Sequence, residues 1–150
     1  MTEDARVGDP LALEHQVCFA LAVASRNVIA LYRPLLEPMG LTHPQYLVML
    51  ALWQRSPLSV KELSRLLQLD PGTLSPLLKR LESGGLIHRR RAEHDERVLE
   101  VTLTATGRAL RAEAQKIPPA IIKQLGMPID ELLQLHAALT RVIAITSASD

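Results

Sequence analysis

Residues 70–97 read DPGTLSPLLKRLESGGLIHRRRAEHDER, and this stretch decides the fold. Leu74, Leu77, Leu78 and Leu81 recur at intervals of three and four, so they share one face of a helix and leave Thr73, Ser75, Pro76, Lys79 and Arg80 on or near the other. Gly84 and Gly85 stand where a helix ends in a left-handed residue. Leu86 to Arg91 and Val98 to Leu103 then read as two short strands around a charged tip, Ala92 to Arg97. Upstream, VKELSRLLQL (60–69) is a second amphipathic helix with Leu63, Leu66 and Leu67 inward, and Asp70, Pro71 and Gly72 supply the turn between the two. Helix, tight turn, helix and basic hairpin predict a winged helix-turn-helix, mainly α with a small β wing, a layout that reads duplex DNA.

Taken alone, a cluster of basic residues is a solvated face. Here Lys79, Arg80, Arg89, Arg90 and Arg91 fall within thirteen residues that hold one acid, Glu82, in a chain whose net charge is only +1. Charge so focused is the footprint of a phosphate-binding surface. The amphipathic pattern points Thr73, Ser75, Pro76 and Lys79 at a major groove, with Arg80 and Ser64 on phosphates. Pro76 is compatible with a helix capped at Thr73, because it then takes the third helical position, where no backbone donor is needed.

Composition narrows the class. With 47% hydrophobic residues the chain can build a core, and its polar N-terminus (MTEDARVGDP) is unlike a signal peptide. No apolar run is expected to reach the length of a membrane span, which predicts a soluble, cytoplasmic protein without a membrane partner. Aromatic residues, at 3%, are too few for the stacking platforms of single-strand binders. One cysteine, Cys18, excludes an internal disulfide and a cysteine-cluster metal site. The five histidines show no tight ligand spacing, so neither metal nor cofactor is assigned.

Around the central module the sequence divides into 1–40, an N-terminal dimerisation helix with residues 1–8 disordered; 41–104, the DNA-binding module; and 105–150, C-terminal dimerisation helices. Asp9 and Pro10 read as a helix start, and Val17, Leu21, Ala24, Val28, Leu31 and Leu35 form a heptad-like seam that runs to Leu36. A helix follows from Thr42 and Pro44 to Gln54, another from Thr104 toward Lys116, and a last from Pro128 to Thr146 with Leu132, Leu135, Leu139, Val142 and Ile143 as its stripe. Two apolar stripes flanking a small module predict a two-fold homodimer on a pseudo-palindromic operator.

With these elements in place the chain resembles the MarR family of transcriptional regulators over nearly its whole length. Asp95-Glu96-Arg97 matches that family's wing signature, and LEHQVCFALAVASRNVIALYRPLLEPMGLTHPQYLVMLALW (13–53) resembles the one-cysteine, organic-hydroperoxide-sensing (OhrR-like) branch. The resemblance implies a repressor rather than an enzyme. It makes Cys18 the peroxide sensor, Arg97 a minor-groove arginine braced by Asp95, and Tyr32 part of the pocket around the sulfur. Tyr46 fits the branch's proline-glutamine-tyrosine segment, while His43 replaces a usual tyrosine. Oxidation of Cys18 to a sulfenic acid, and onward to a mixed disulfide with a small thiol, would release the operator.

Reaction with hydroperoxide needs a thiolate, hence donors near Cys18. A helix that starts at Pro10 would bury Cys18 beyond reach of its own dipole. Tyr32 lies fourteen residues on, about 21 Å along one helix, so it cannot touch its own Cys18, and if the two meet the contact comes from a second subunit. Two rival readings remain: a repressor that answers to a small apolar or phenolic ligand, and a thiol peroxidase using Cys18 as nucleophile.

Overall fold

The computed structural model describes residues 8–147; of the stretch 1–8 expected to be disordered, residues 1–7 lie outside the described residues, as do 148–150. Asp9 and Pro10 do not open the first long helix. Asp9 Oδ1 accepts the Leu11 N–H at 2.9 Å and its carbonyl accepts from Ala12, so the aspartate makes a turn that leads into a single 3₁₀ turn, Leu13–His15. Helix α1 begins at Val17 and runs to Leu36. A 3₁₀ turn, Glu37–Met39, follows. By length and composition Val17–Met39, with mean hydropathy 1.2, could cross a membrane. The expectation that no apolar stretch reaches that length is therefore corrected, because the apolar residues from Val17 to Ala24 and from Val28 to Leu31 keep the average high around Arg26 and Arg33.

Helix α2 (His43–Gln54) starts in a capping box: the Thr42 hydroxyl accepts from the Gln45 N–H and the Gln45 side chain accepts from the Thr42 N–H. Strand β1 (Leu58–Ser59) leads into a second capping box, Ser59 with Glu62, which opens α3 (Val60–Leu67). Gln68 turns the chain with φ 56°, and α4 spans Pro71–Ser83. Gly85, at φ +78°, supplies the left-handed residue that ends α4. Strands β2 (Ile87–Arg91) and β3 (Leu99–Leu103) form the wing, antiparallel, with Ile87 opposite Leu103 and Arg91 opposite Leu99. The two residues of β1, which the sequence pattern did not reveal, pair with the other edge of β3.

Leu52, Leu58, Leu63, Leu74, Leu78 and Val101 are fully buried and place the core of the module between its helices and sheet. Removing leucine side chains from water in this way contributes roughly 2 kcal/mol each. At the wing's root, backbone meets backbone. A Cβ on Gly107 would sit 2.1 Å from the Leu86 carbonyl oxygen, so only glycine fits. The Gly107 carbonyl accepts the Trp53 indole N–H at 2.8 Å, which ties the end of α2 to the same point.

The helix predicted from Thr104 divides at Leu110 into α5 (Ala105–Ala109) and α6 (Arg111–Ala114). Residues up to 115 form one unit and those from 116 a second, built of α7 (Ile117–Leu125) and α8 (Ile129–Ser147). On α8, Leu135, Val142 and Ile143 are exposed, and Leu132 and Leu139 are half-buried.

Candidate functional site

The outward face of α4 carries Thr73, Ser75, Pro76, Lys79 and Arg80, all exposed, while Leu74, Leu78 and Leu81 are buried behind them. Its cap is Asp70 rather than Thr73. The Asp70 carboxylate accepts the Thr73 N–H at 2.8 Å and the Thr73 hydroxyl at 3.1 Å, and those bonds hold its pKa below the usual carboxylate value. Pro76 is therefore the sixth helical residue and not the third. Having no N–H, it gives the Gly72 carbonyl no helical donor, and that oxygen stays available at the exposed start of the helix.

Two further expectations change. Ser64 is half-buried and its hydroxyl donates to the Leu69 carbonyl, clamping the turn between α3 and α4. Its one proton is engaged, so it has none to offer a phosphate. Arg89 is half-buried against Glu82. The guanidinium meets Glu82 Oε1 at 3.2 Å, and the Arg89 N–H donates to Oε2 at 3.0 Å. Arg90 and Arg91 remain exposed. At the tip, Asp95 accepts three bonds from Arg97: the backbone N–H at 3.0 Å, Nε at 3.1 Å and a terminal nitrogen at 3.3 Å. The carboxylate's pKa is lowered as a result, and the Arg97 side chain, 92% exposed, is presented outward in one orientation.

Far from this face, Tyr32 near the end of α1 meets two residues from the start of α2. Its ring centroid lies 5.0 Å from that of His43 and 5.8 Å from that of Tyr46, and His43 and Tyr46 are 6.3 Å apart. Three residues singled out in the sequence thus form one aromatic cluster. Burial raises the pKa of Tyr32, and of Tyr46 with a smaller contribution from Tyr32, so both phenols keep their protons and can donate. Burial lowers the pKa of His43.

Cys18 is not in that cluster. It is exposed, as the second residue of α1, fourteen residues from Tyr32 and so about 21 Å away along the helix. Fourteen residues are close to four turns, which puts thiol and phenol on the same side of α1. The late start of the helix overturns the expectation that Cys18 lies beyond the dipole. Gln16, the cap residue, turns its side chain back to the Pro10 and Ala12 carbonyls and caps nothing. The first-turn N–H groups beside Cys18 are those a helix offers to an anion.

One wall of the cluster also borders a cleft of about 530 Å³ whose lining includes Arg26, Ile29, Arg33, Leu41 and His43. Among the described residues neither arginine side chain has a hydrogen-bonded or ionic partner. Sequence reasoning passed over this pair, although two arginines seven apart in an apolar helix share a face. It also passed over Glu82, whose signal was its solitude in a basic run.

The MarR family model matches residues 41–99. An organic hydroperoxide resistance transcriptional regulator of Bacillus subtilis is 44% identical over 131 residues, 87% of this chain and 89% of its own length. The HTH-type transcriptional regulator TtmR of Methylorubrum extorquens is 46% identical over 123 residues, 82% of this chain, which spans 63% of that longer relative. Among solved structures, reduced AbfR of Staphylococcus epidermidis bound to DNA is 32% identical and has a TM-score of 0.73, with 97% of this chain and 99% of that one covered.

Proposed function

The chain belongs to the MarR family, and from that premise we propose that it is a DNA-binding transcriptional repressor that senses organic hydroperoxides through Cys18. The observation that carries the reading is the relation of Cys18 to the aromatic cluster. Sulfur and donors lie on one side of α1, four turns apart. Two α1 helices that cross antiparallel in a homodimer set each Cys18 against its partner's cluster, where the phenols donate to the sulfur. This chain departs from the resemblance at His43, whose ring joins the cluster and offers an imidazole where a phenol is usual.

The chemistry balances without a cofactor. The thiolate attacks the terminal peroxide oxygen, the O–O bond breaks, sulfur is oxidised to a sulfenic acid, and the alkoxide leaves and takes a proton to become the alcohol. The larger, neutral group is a weaker acceptor for the donors' hydrogen bonds and takes more room. With no second cysteine in the chain, a small thiol can then form a mixed disulfide. Either product displaces the cluster, and since α2 begins at the cluster and ends at the wing's root through Trp53, the displacement alters the spacing of the two DNA-reading faces. Thr73, Ser75, Pro76 and Lys79 meet the major groove, Arg80, Arg90 and Arg91 meet phosphates, and Arg97 enters the minor groove.

The decisive experiment is binding to the protein's own upstream DNA with and without organic hydroperoxide, beside Cys18→Ser. Loss of binding in wild type alone, reversed by reductant, supports the reading; equal release of both proteins rejects it. Equal release would favour the second reading, a repressor answering to a small ligand, for which the cleft beside Arg26 and Arg33 is the specific support. Enzymatic turnover of peroxide is not part of either proposal.

A further inference from the structure

Glu82 is the one acid in the basic stretch from Lys79 to Arg91, and it stands at a position that disfavours it twice. It occupies the last turn of α4, where the helix dipole repels a carboxylate, and it adds negative charge to a surface read above as phosphate-binding. A residue that costs helix stability and opposes the partner's charge needs a compensating role. The geometry supplies one. Both carboxylate oxygens are engaged by a single residue of the wing, Arg89, one through its backbone N–H at 3.0 Å and the other through its guanidinium at 3.2 Å. Arg89 is the third residue of β2 and lies opposite Val101, which is fully buried in β3.

We propose that Glu82 is a positioning residue: its paired contact with Arg89 locks the wing to α4, so that the helix and the tip arginine are held as one rigid reading head. The joint between the two is the glycine pair Gly84-Gly85, whose second member is left-handed; the Gly85 N–H on the Glu82 carbonyl and the Leu86 N–H on the Leu81 carbonyl close it onto the end of α4, but no backbone bond ties the strand itself, Ile87–Arg91, to that helix. The wing root beyond that joint is fastened to α5 by the Thr104 hydroxyl on the Gly85 carbonyl and the Thr104 N–H on the Leu86 carbonyl, but neither bond reaches α4. Glu82 to Arg89 is the side-chain link that does. The inference rests on the DNA-binding reading for its consequence and on the two hydrogen bonds for its geometry, and each can be tested separately.

Glu82→Ala separates the alternatives by sign. A carboxylate that merely repels DNA leaves tighter binding to every duplex when it is removed. A strut leaves weaker binding to the protein's own upstream duplex, by about tenfold, with binding to a scrambled duplex of equal length unchanged or tighter. Alanine is a better helix former and removes the adverse charge, so fraying of α4 cannot account for a loss. Arg89→Gln, which keeps the backbone bond and loses the guanidinium one, should produce a loss no larger than that of Glu82→Ala, and the double variant should be no worse than Glu82→Ala alone. Tighter binding of Glu82→Ala to both duplexes, or additive losses, overturns the proposal. If wild type binds neither duplex, the DNA-binding reading fails instead. Hydrogen exchange then still decides the strut: faster exchange of the Arg89 amide in Glu82→Ala supports it, and unchanged exchange refutes it.

Discussion

At the scale of single residues, His43 joins packing to titration. Its ring is held edge-on to Tyr32, and burial lowers its pKa below the ordinary 6.5. A proton that binds the unfolded chain more readily than the folded one destabilises the fold. The stabilising contribution of the neutral ring is therefore complete above about pH 6.5 and is lost as pH falls through the lower folded value. His43→Tyr puts in a group that stays neutral across this range. Melting temperatures measured between about pH 8 and about pH 5 should fall more steeply for the wild type than for that variant. Parallel profiles would mean that His43 keeps its solvation and that the cluster is looser than its ring distances indicate. Cys18 teaches a related lesson. Its surroundings turned on where a helix begins, and the Asp9-Pro10 signal was misleading because an aspartate side chain can close a turn as readily as it caps a helix.

At the scale of elements, α4 shows what patterning can and cannot specify. Its buried leucines were legible because the 3.6-residue repeat places them on one face whatever surrounds them. So was the start of α2, where Thr42 and Gln45 carry both halves of a capping box. Other features depend on contacts between distant segments. The two-residue β1 exists because β3 offers it an edge, and the Glu82–Arg89 link depends on the register of the wing against the helix. The break at Leu110 had no proline or glycine to announce it. Pro76 is a local conflict inside α4: proline in a helix interior costs about 3 kcal/mol, less where a helix bends to accommodate it. Pro76→Ala should raise stability by about 1–3 kcal/mol in chemical denaturation while weakening operator binding, since the ring and the freed Gly72 carbonyl both lie on the outward face. A stabilised variant with undiminished affinity would show that Pro76 contacts no DNA.

At the scale of the whole molecule, the candidate site is divided within one chain, which is why its parts were legible and its assembly was not. The family resemblance pointed to Cys18, Tyr32, His43 and Tyr46, but fold geometry brings only the last three together. The seam of α1 bears on the missing step. Val17, Leu21 and Ala24 are exposed and Val28, Leu31 and Leu35 only half-buried, so the chain leaves a heptad-spaced apolar stripe in water along the helix that carries the thiol. A second copy offers the same stripe, and antiparallel pairing of the two buries both while closing the distance between sulfur and cluster. Leu21, 38% exposed and one turn from Cys18, is the position at which to test this. Leu21→Glu puts a carboxylate into the apolar seam of such a pair, where burying it is costly, and leaves the monomer's own core untouched. The wild type should scatter light as twice 16.6 kDa and the variant as a monomer. The variant should also bind operator more weakly and lose the response of Cys18 to hydroperoxide, because one substitution separates two half-sites and two half-sensors together. A monomeric variant whose Cys18 still reacts as fast as wild type would place the activating donors on the same chain as the sulfur.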